Sequence, residues 1–262
     1  MQVNVVSPDS PPEPQLAGLP PLPALKQAYD EDGFVHVPGL FSTSEISRFV
    51  QAADALLAKE ARGGVKYAYD ASFSQVKLPA SKDDTLRELT VDPRLALLAG
   101  LLSEMPRIRV FLDRIIYKRA GAGPTKAHID APFLSFDDPR SLACWIALTD
   151  TTVENGALAY YVGSHHGRLT DKSREPDGSI SAHDPSLNAR LLHSLPARAG
   201  DVVFHNVHTI HLAGANNTPE TRRAYAIQYM PDGVAFNGNT QDFFADCALG
   251  APLDMPCFPR VL

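Results

Sequence analysis

The stretch TKAHIDAPF, residues 125–133, sets a histidine and an aspartate one residue apart, His128 and Asp130. Side chains two apart on a strand point to the same face. The pair therefore offers one nitrogen and one oxygen ligand side by side. That is two-thirds of a facial triad of two histidines and one carboxylate, the arrangement that holds non-haem Fe(II) with positions left open. An isolated HxD also fits a polar surface turn, so a third ligand decides the matter. FHNVHTIH supplies His205, His208 and His211. Their spacing of three suits a helix face, but Val202, Val203, Phe204, Val207, Thr209 and Ile210 favour a strand. On a strand His205 and His211 share a face and His208 lies opposite, unless a turn intervenes. All three then do not bind one ion, and the others take hydrogen-bonding or structural roles. Arg222 and Arg223 stand where the strand-like run RAYAIQYM begins, and on a strand one of them faces inward. A buried guanidinium needs an anionic partner, and a dicarboxylate co-substrate would supply one in bidentate fashion. The alternative is an exposed arginine pair beside a loop.

These residues need elements to position them. Residues 1–23 hold Pro8, Pro11, Pro12, Pro14, Pro20, Pro21 and Pro23, which reads as a flexible, proline-rich leader. A single domain follows over 24–262. A helix is expected from Pro23 towards Asp30, and a short strand in GFVHVPGLF. Ser42 and Glu45 form a capping box for a helix carrying Ile46, Phe49, Val50, Ala53, Leu56 and Leu57, which Gly63-Gly64 ends. Asp92-Pro93 starts another helix, with Leu95, Leu98, Leu101 and Leu102 as its buried face. From residue 107 the pattern turns to strands: 107–118, 142–148, 157–163, 201–207 and 223–230, separated by Gly, Pro, Asn and Asp turns. Helices followed by many strands imply an α+β chain, mainly β, with a jelly-roll core over about 107–232. The polar segment 171–186 reads as a long surface loop, and residues 233–262 as a C-terminal tail.

The bulk composition excludes several classes. In 262 residues, 44% are hydrophobic and 21% charged, with a net charge of -6, as in a globular chain with no basic surface for nucleic acid. No run of about 18 apolar residues suggests a membrane span, and the N-terminus does not read as a secretory signal. Cys144, Cys247 and Cys257 are an odd, scattered set, which fits a reducing, cytoplasmic setting without a disulfide framework. Oligomeric state is not written in the sequence.

Taken together, HID, His211 and Arg222 with AGDVVFHNVHTIHLAGAN, WIALTDTTVENGALAYYVGSHH and DEDGFVHVPGLFSTSEI resemble the phytanoyl-CoA dioxygenase family over about residues 25–232. The resemblance implies a double-stranded β-helix (a cupin-like jelly roll) with N-terminal helices packed outside. It implies Fe(II) and 2-oxoglutarate, with His128, Asp130 and His211 as metal ligands. His211 is singled out by its HLAGAN context and its step of eleven residues to the arginine. Arg222 would meet the far carboxylate of 2-oxoglutarate, with Lys77 and Trp145 beside it. The family often carries a hydroxylated residue two past the distal histidine; here that position is Ala213. The implied reaction consumes O2, turns 2-oxoglutarate into succinate and oxidises an unactivated C–H bond, with ascorbate as a possible reductant. Asp130 favours hydroxylation over halogenation, because related halogenases have a small residue there. Phe133, Phe136, Tyr160 and Tyr161 are candidates to line a pocket for a small, apolar metabolite, a product or precursor of secondary metabolism. The loop 171–186 and the tail with Phe236, Phe243 and Phe244 are candidates to close over it. Two rivals remain: a cupin-type metal-dependent hydrolase or isomerase, and a non-catalytic jelly-roll binding protein.

Overall fold

Alternation along the strands sorts the chain into three layers. In the computed structural model, which describes residues 16, 18–62, 72–167, 175, 177–182, 184, 187–239 and 247–262, the elements run α1 (Leu22–Asp32), β1 (Phe34–Val37), α2 (Thr43–Arg62), β2 (Phe73–Lys77), α3 (Asp84–Thr90), α4 (Pro93–Ser103), β3 (Ile108–Lys118), β4 (Thr125–His128), β5 (Leu142–Ala147), β6 (Leu158–Tyr161), β7 (Leu192–Leu195), β8 (Val202–Asn206), β9 (His211–Ala213) and β10 (Arg222–Pro231). One sheet has the order β1-β8-β5-β10-β3-β2, the other β4-β9-β6-β7. All pairings within them are antiparallel. This is the double-stranded β-helix, with β1 and β2 added at the two edges of the larger sheet.

On β10, Tyr225, Ile227 and Tyr229 face the helices, in one apolar cluster with Leu86, Leu89, Leu95 and Leu98. Ala224 and Ala226 face the second sheet, in a cluster with Trp145, Ala147, Tyr160 and Val203. Large side chains of β10 thus pack on the helix side, while its small ones pack against the second sheet. The buried Asp113 belongs to the helix side; it accepts from Tyr225 Oη, Thr90 Oγ1 (3.0 Å) and Ala80 N (2.9 Å), a structural role.

The helix starts follow the sequence. Ser42 N donates to Glu45 Oε2 at 2.7 Å, and Glu45 N donates back to Ser42 Oγ at 3.3 Å. Asp92 accepts from Arg94 N at 2.8 Å. Leu101 is a correction: it is 44% exposed, while Leu95, Leu98 and Leu102 are buried. The unforeseen elements are β2, α3 and β7. Each is too short for periodicity to show. The expected glycine stop at 63–64, the leader's residues 1–15 and Phe243-Phe244 lie outside the described residues.

The tail does not sit as expected. Phe236, Leu253 and Phe258 are buried with Phe111, Phe136 and Met230. Val261 N donates to Ile108 O at 3.0 Å, and Val110 N to Pro259 O at 3.0 Å, so the chain end lies along β3. Phe236 is therefore a core residue and not part of a cover. No helix among the described residues is long and apolar enough to cross a membrane.

Gly200 leads into β8 with φ +97°, and an added Cβ there would run into the Phe41 carbonyl. Gly233 has φ +90° but open space around it. Gly233→Ala should cost about 1–2 kcal/mol, the left-handed penalty alone. Gly200→Ala should cost at least about 1 kcal/mol more, because main chain must move as well. Urea unfolding of both variants checks the ordering.

Candidate metal centre

His128 ends β4 and His211 opens β9, and the two are register partners in the smaller sheet. Their ring centroids lie 4.2 Å apart. His128 Nδ1 lies 2.8 Å from Lys126 O, and His211 Nδ1 lies 3.0 Å from Thr209 O. A carbonyl only accepts, so each Nδ1 carries the proton and donates it there. In that tautomer of the neutral ring the lone pair is on Nε2, the state a metal requires.

Asp130 reaches the same point by a different route from the one expected. It is not on the strand; its backbone is helical (φ -78°, ψ -31°), at the start of the 3-10 turn Ala131–Phe133. Asp130 N and Ala131 N both donate to Val207 O, at 2.9 and 3.0 Å. Its Oδ1 then lies 3.9 Å from both His128 Nε2 and His211 Nε2. Ligand atoms of His128, Asp130 and His211 all fall within 4.8 Å of one another, the one such group among the described residues.

The histidine run is interrupted, as the alternative with a turn allows: β8 stops at Asn206 and β9 starts at His211. His205 remains close, with its Nε2 3.4 Å from Asp130 Oδ2 and its Nδ1 3.1 Å from Tyr160 Oη. His208 is outside the group. Burial alone would raise the Asp130 carboxyl. The hydrogen bond from His205 and the fields of His211, His205 and His128 overcome this and hold it well below the usual carboxylate range. Burial, and then His128 and His205, push His211 well below the usual imidazole range. An ionised carboxylate beside a neutral imidazole is the protonation state that metal binding needs. Tyr160 is pushed well up by burial and by Asp130, so its oxygen stays a hydroxyl.

Arg222 is the arginine that points inward. It is 2% exposed, and its Nε and Nη1 have no hydrogen-bond partner. Burial without an anion pulls its guanidinium down to about 10. Trp145 lies beneath it, with the ring centroid 5.6 Å from Cζ. Arg223 faces the other way, donating to Asp54 Oδ1 at 3.1 Å. Lys77 pairs with Arg114, Arg114 with Ala226 and Ala226 with Trp145, so all four project from the same face of the larger sheet. The nearby Lys118 is committed to main chain, donating to Gly123 O at 2.9 Å and Gly214 O at 2.7 Å.

The aromatic candidates divide. Phe133 is 41% exposed and sets its ring edge-on to His128, with centroids 6.5 Å apart. Phe136 is a correction: it is buried and packs edge-on against Phe111 at 5.0 Å, so it belongs to the core and not to a pocket. Tyr160 is buried inside the smaller sheet's inner layer, and Ala213 packs in the same cluster. From the 171–186 segment, Ile180 N donates to Ala127 O at 2.7 Å and Gly178 lies against the Phe133 ring.

Residues 29–224 match the family model described as Phytanoyl-CoA dioxygenase (PhyH). The chain belongs to the phytanoyl-CoA dioxygenase family. It is 30% identical over 158 residues to the mouse phytanoyl-CoA dioxygenase domain-containing protein 1, covering 56% of this chain and 53% of that one. The chain thus spans about half the length of that curated relative. A probable alpha-ketoglutarate-dependent hypophosphite dioxygenase of Stutzerimonas stutzeri is 24% identical over 225 residues, 78% of this chain and 77% of its own. Among solved structures, the epimerase SnoN in complex with Fe3+, alpha ketoglutarate and nogalamycin RO superposes with a TM-score of 0.82 at 30% identity, covering 92% of this chain and 98% of SnoN. The alpha ketoglutarate dependent carbocyclase SnoK from nogalamycin biosynthesis gives 0.78 at 29%, over 91% and 96%.

An unpaired buried cation weakens a fold, and its removal relieves it. Arg222→Met should leave the ligand-free protein as stable as the parent, or more stable by about 1–3 kcal/mol. Chemical unfolding without added metal or 2-oxoglutarate is the measurement. A loss of several kcal/mol would mean that Arg222 already has a partner.

Proposed function

We propose that the protein is an Fe(II)- and 2-oxoglutarate-dependent oxygenase acting on a C–H bond of a small, largely apolar metabolite. The observation that carries this reading is Arg222, a buried guanidinium with two unpartnered nitrogen atoms on the face that also bears Trp145. Such a group calls for a carboxylate, and a metal site by itself does not explain it. The donor set fits iron: two imidazoles and one carboxylate, with no thiolate and no fourth ligand in the group.

In this reading His128, Asp130 and His211 hold Fe(II) through the two Nε2 atoms and one carboxylate oxygen. Arg222 takes the far carboxylate of 2-oxoglutarate, Lys77 adds positive charge and Trp145 forms an apolar wall. With O2, the bound iron and 2-oxoglutarate supply the oxidising power, and succinate and carbon dioxide are the by-products. The chain's own part is to orient and to exclude water. Val203, Ala224, Ala226 and Trp145 make the inner layer dry. Phe133 offers an exposed apolar edge beside His128 for the substrate. The nogalamycin compound bound by SnoN supports a secondary metabolite as substrate. Hydroxylation, epimerisation and ring closure all begin with hydrogen removal from carbon, so SnoN and SnoK support the bond type rather than one outcome. Asp130 occupies the place that a halide would need, which supports oxygenation over halogenation. The cupin-type hydrolase reading leaves Arg222 without a purpose. Three free cysteines fit a cytoplasmic setting.

Purified protein with Fe(II), ascorbate and 2-oxoglutarate should form succinate, and Asp130→Ala should reduce this to background. Anaerobic addition of 2-oxoglutarate to the Fe(II) protein should give a weak visible charge-transfer band. In Arg222→Met the 2-oxoglutarate concentration for half-maximal band intensity should rise at least about 30-fold, the loss of a charge-assisted pair. No band and no succinate from the parent protein would end the proposal.

A further inference from the structure

Two buried side chains next to the metal group are not used by the reading above. His205 and Tyr160 are 4% and 0% exposed. Both of their polar ends point at each other or at Asp130.

The protonation states follow from what each atom can do. In the metal reading Asp130 ligates as a carboxylate, and a carboxylate oxygen only accepts. His205 Nε2, 3.4 Å away, must therefore carry a hydrogen. A nitrogen that carries a hydrogen has no lone pair for a metal. In the tautomer with its hydrogen on Nε2, Nδ1 accepts, and Tyr160 Oη, 3.1 Å from it, is the donor. Tyr160 is itself held firmly: its ring stacks on Phe34 at 4.3 Å with planes 12° apart. Its backbone is the register partner of His211.

The two carboxylate oxygens are thus unequal. Oδ1 is 3.9 Å from each of the two ligand Nε2 atoms, and Oδ2 is turned to His205. We infer that Tyr160 and His205 are positioning residues that hold Asp130 to one-oxygen coordination, with Oδ1 for the metal and Oδ2 kept for the His205 N–H. The inference rests on the metal reading proposed above. A carboxylate free to rotate would offer both oxygens and close one of the positions that 2-oxoglutarate and O2 require. Groups that orient a ligating side chain in this way are worth about 10- to 100-fold in metal affinity.

The test uses Co(II) as the probe, added anaerobically to the metal-free full chain, with affinity and visible spectrum both recorded. His205→Leu should bind Co(II) about 10- to 100-fold more weakly. Its d–d absorption should also fall, as a second carboxylate oxygen raises the coordination number. His205→Gln places an amide N–H where Nε2 stood, and should restore the parent spectrum and most of the affinity. Tyr160→Phe keeps the stack on Phe34 but frees the imidazole tautomer, so it should fall between the two. Thermal unfolding of each metal-free variant establishes that it is folded. A parent-like affinity and spectrum in His205→Leu overturns the inference. His205→Gln as impaired as His205→Leu also overturns it, since the imidazole would then be a ligand itself. If His205→Leu does not fold, a parent-like Tyr160→Phe spectrum overturns it instead. A parent protein that binds no Co(II) sinks the metal reading, and the inference with it. Tight parent binding with unaltered variants sinks the inference alone.

Discussion

One carbonyl oxygen ties the site together. Val207 O accepts from both Asp130 N and Ala131 N, and so fastens the turn after β4 to the turn after β8. Without that clamp His128 and His211 would still face each other, because ladder pairing puts them there. The carboxylate would not meet them, since Asp130 has left the strand. The clamp costs little, as two main-chain donors that need partners in any case find one. It fixes the backbone from which the Asp130 side chain reaches the two histidines.

The same region is where the fold gives up stability. Arg222 is buried without an anion, and His211 is buried among other imidazoles. Both situations are unfavourable before a ligand arrives. The apolar layer on the helix side offsets them, with Tyr225, Ile227 and Tyr229 of β10 packed on the leucines of α3 and α4. Residues one step along the same strand, Ala224 and Ala226, are small and face the site. One strand thus turns its large side chains to the helices and its small ones to the second sheet. Strained or unsatisfied groups of this kind belong to sites that a ligand completes.

Division of labour also separates the aromatic residues. Phe133 and Phe136 are three apart and look alike in the sequence. The 3-10 turn at Ala131–Phe133 leaves the first ring exposed beside His128, and the chain then turns inward and buries the second on Phe111. Side-chain type reports that a ring wants apolar contact; it does not report whether that contact is protein or ligand.

Much of the architecture was legible in the chain because period-two alternation and capping residues are local. The capping box at Ser42–Glu45, the Asp92 cap and the long strands β3 and β10 are written in neighbouring residues. Short β2, α3 and β7 were not, because their formation depends on partners distant in sequence. The triad types and the Arg222 step were visible through family resemblance, yet the local argument for Asp130, strand alternation, does not hold, because Asp130 reaches the group from a 3-10 turn. Which of two adjacent arginines turns inward was decided by the phase of β10 against β3 and β5. That Tyr160 reaches His205, and His205 reaches Asp130, exists only after two sheets close on each other. Sequence determines residue chemistry and local conformation, since both act over a few bonds. Convergence of side chains from β4, β6, β8, β9 and β10 belongs to tertiary structure, since only long-range pairing sets those distances.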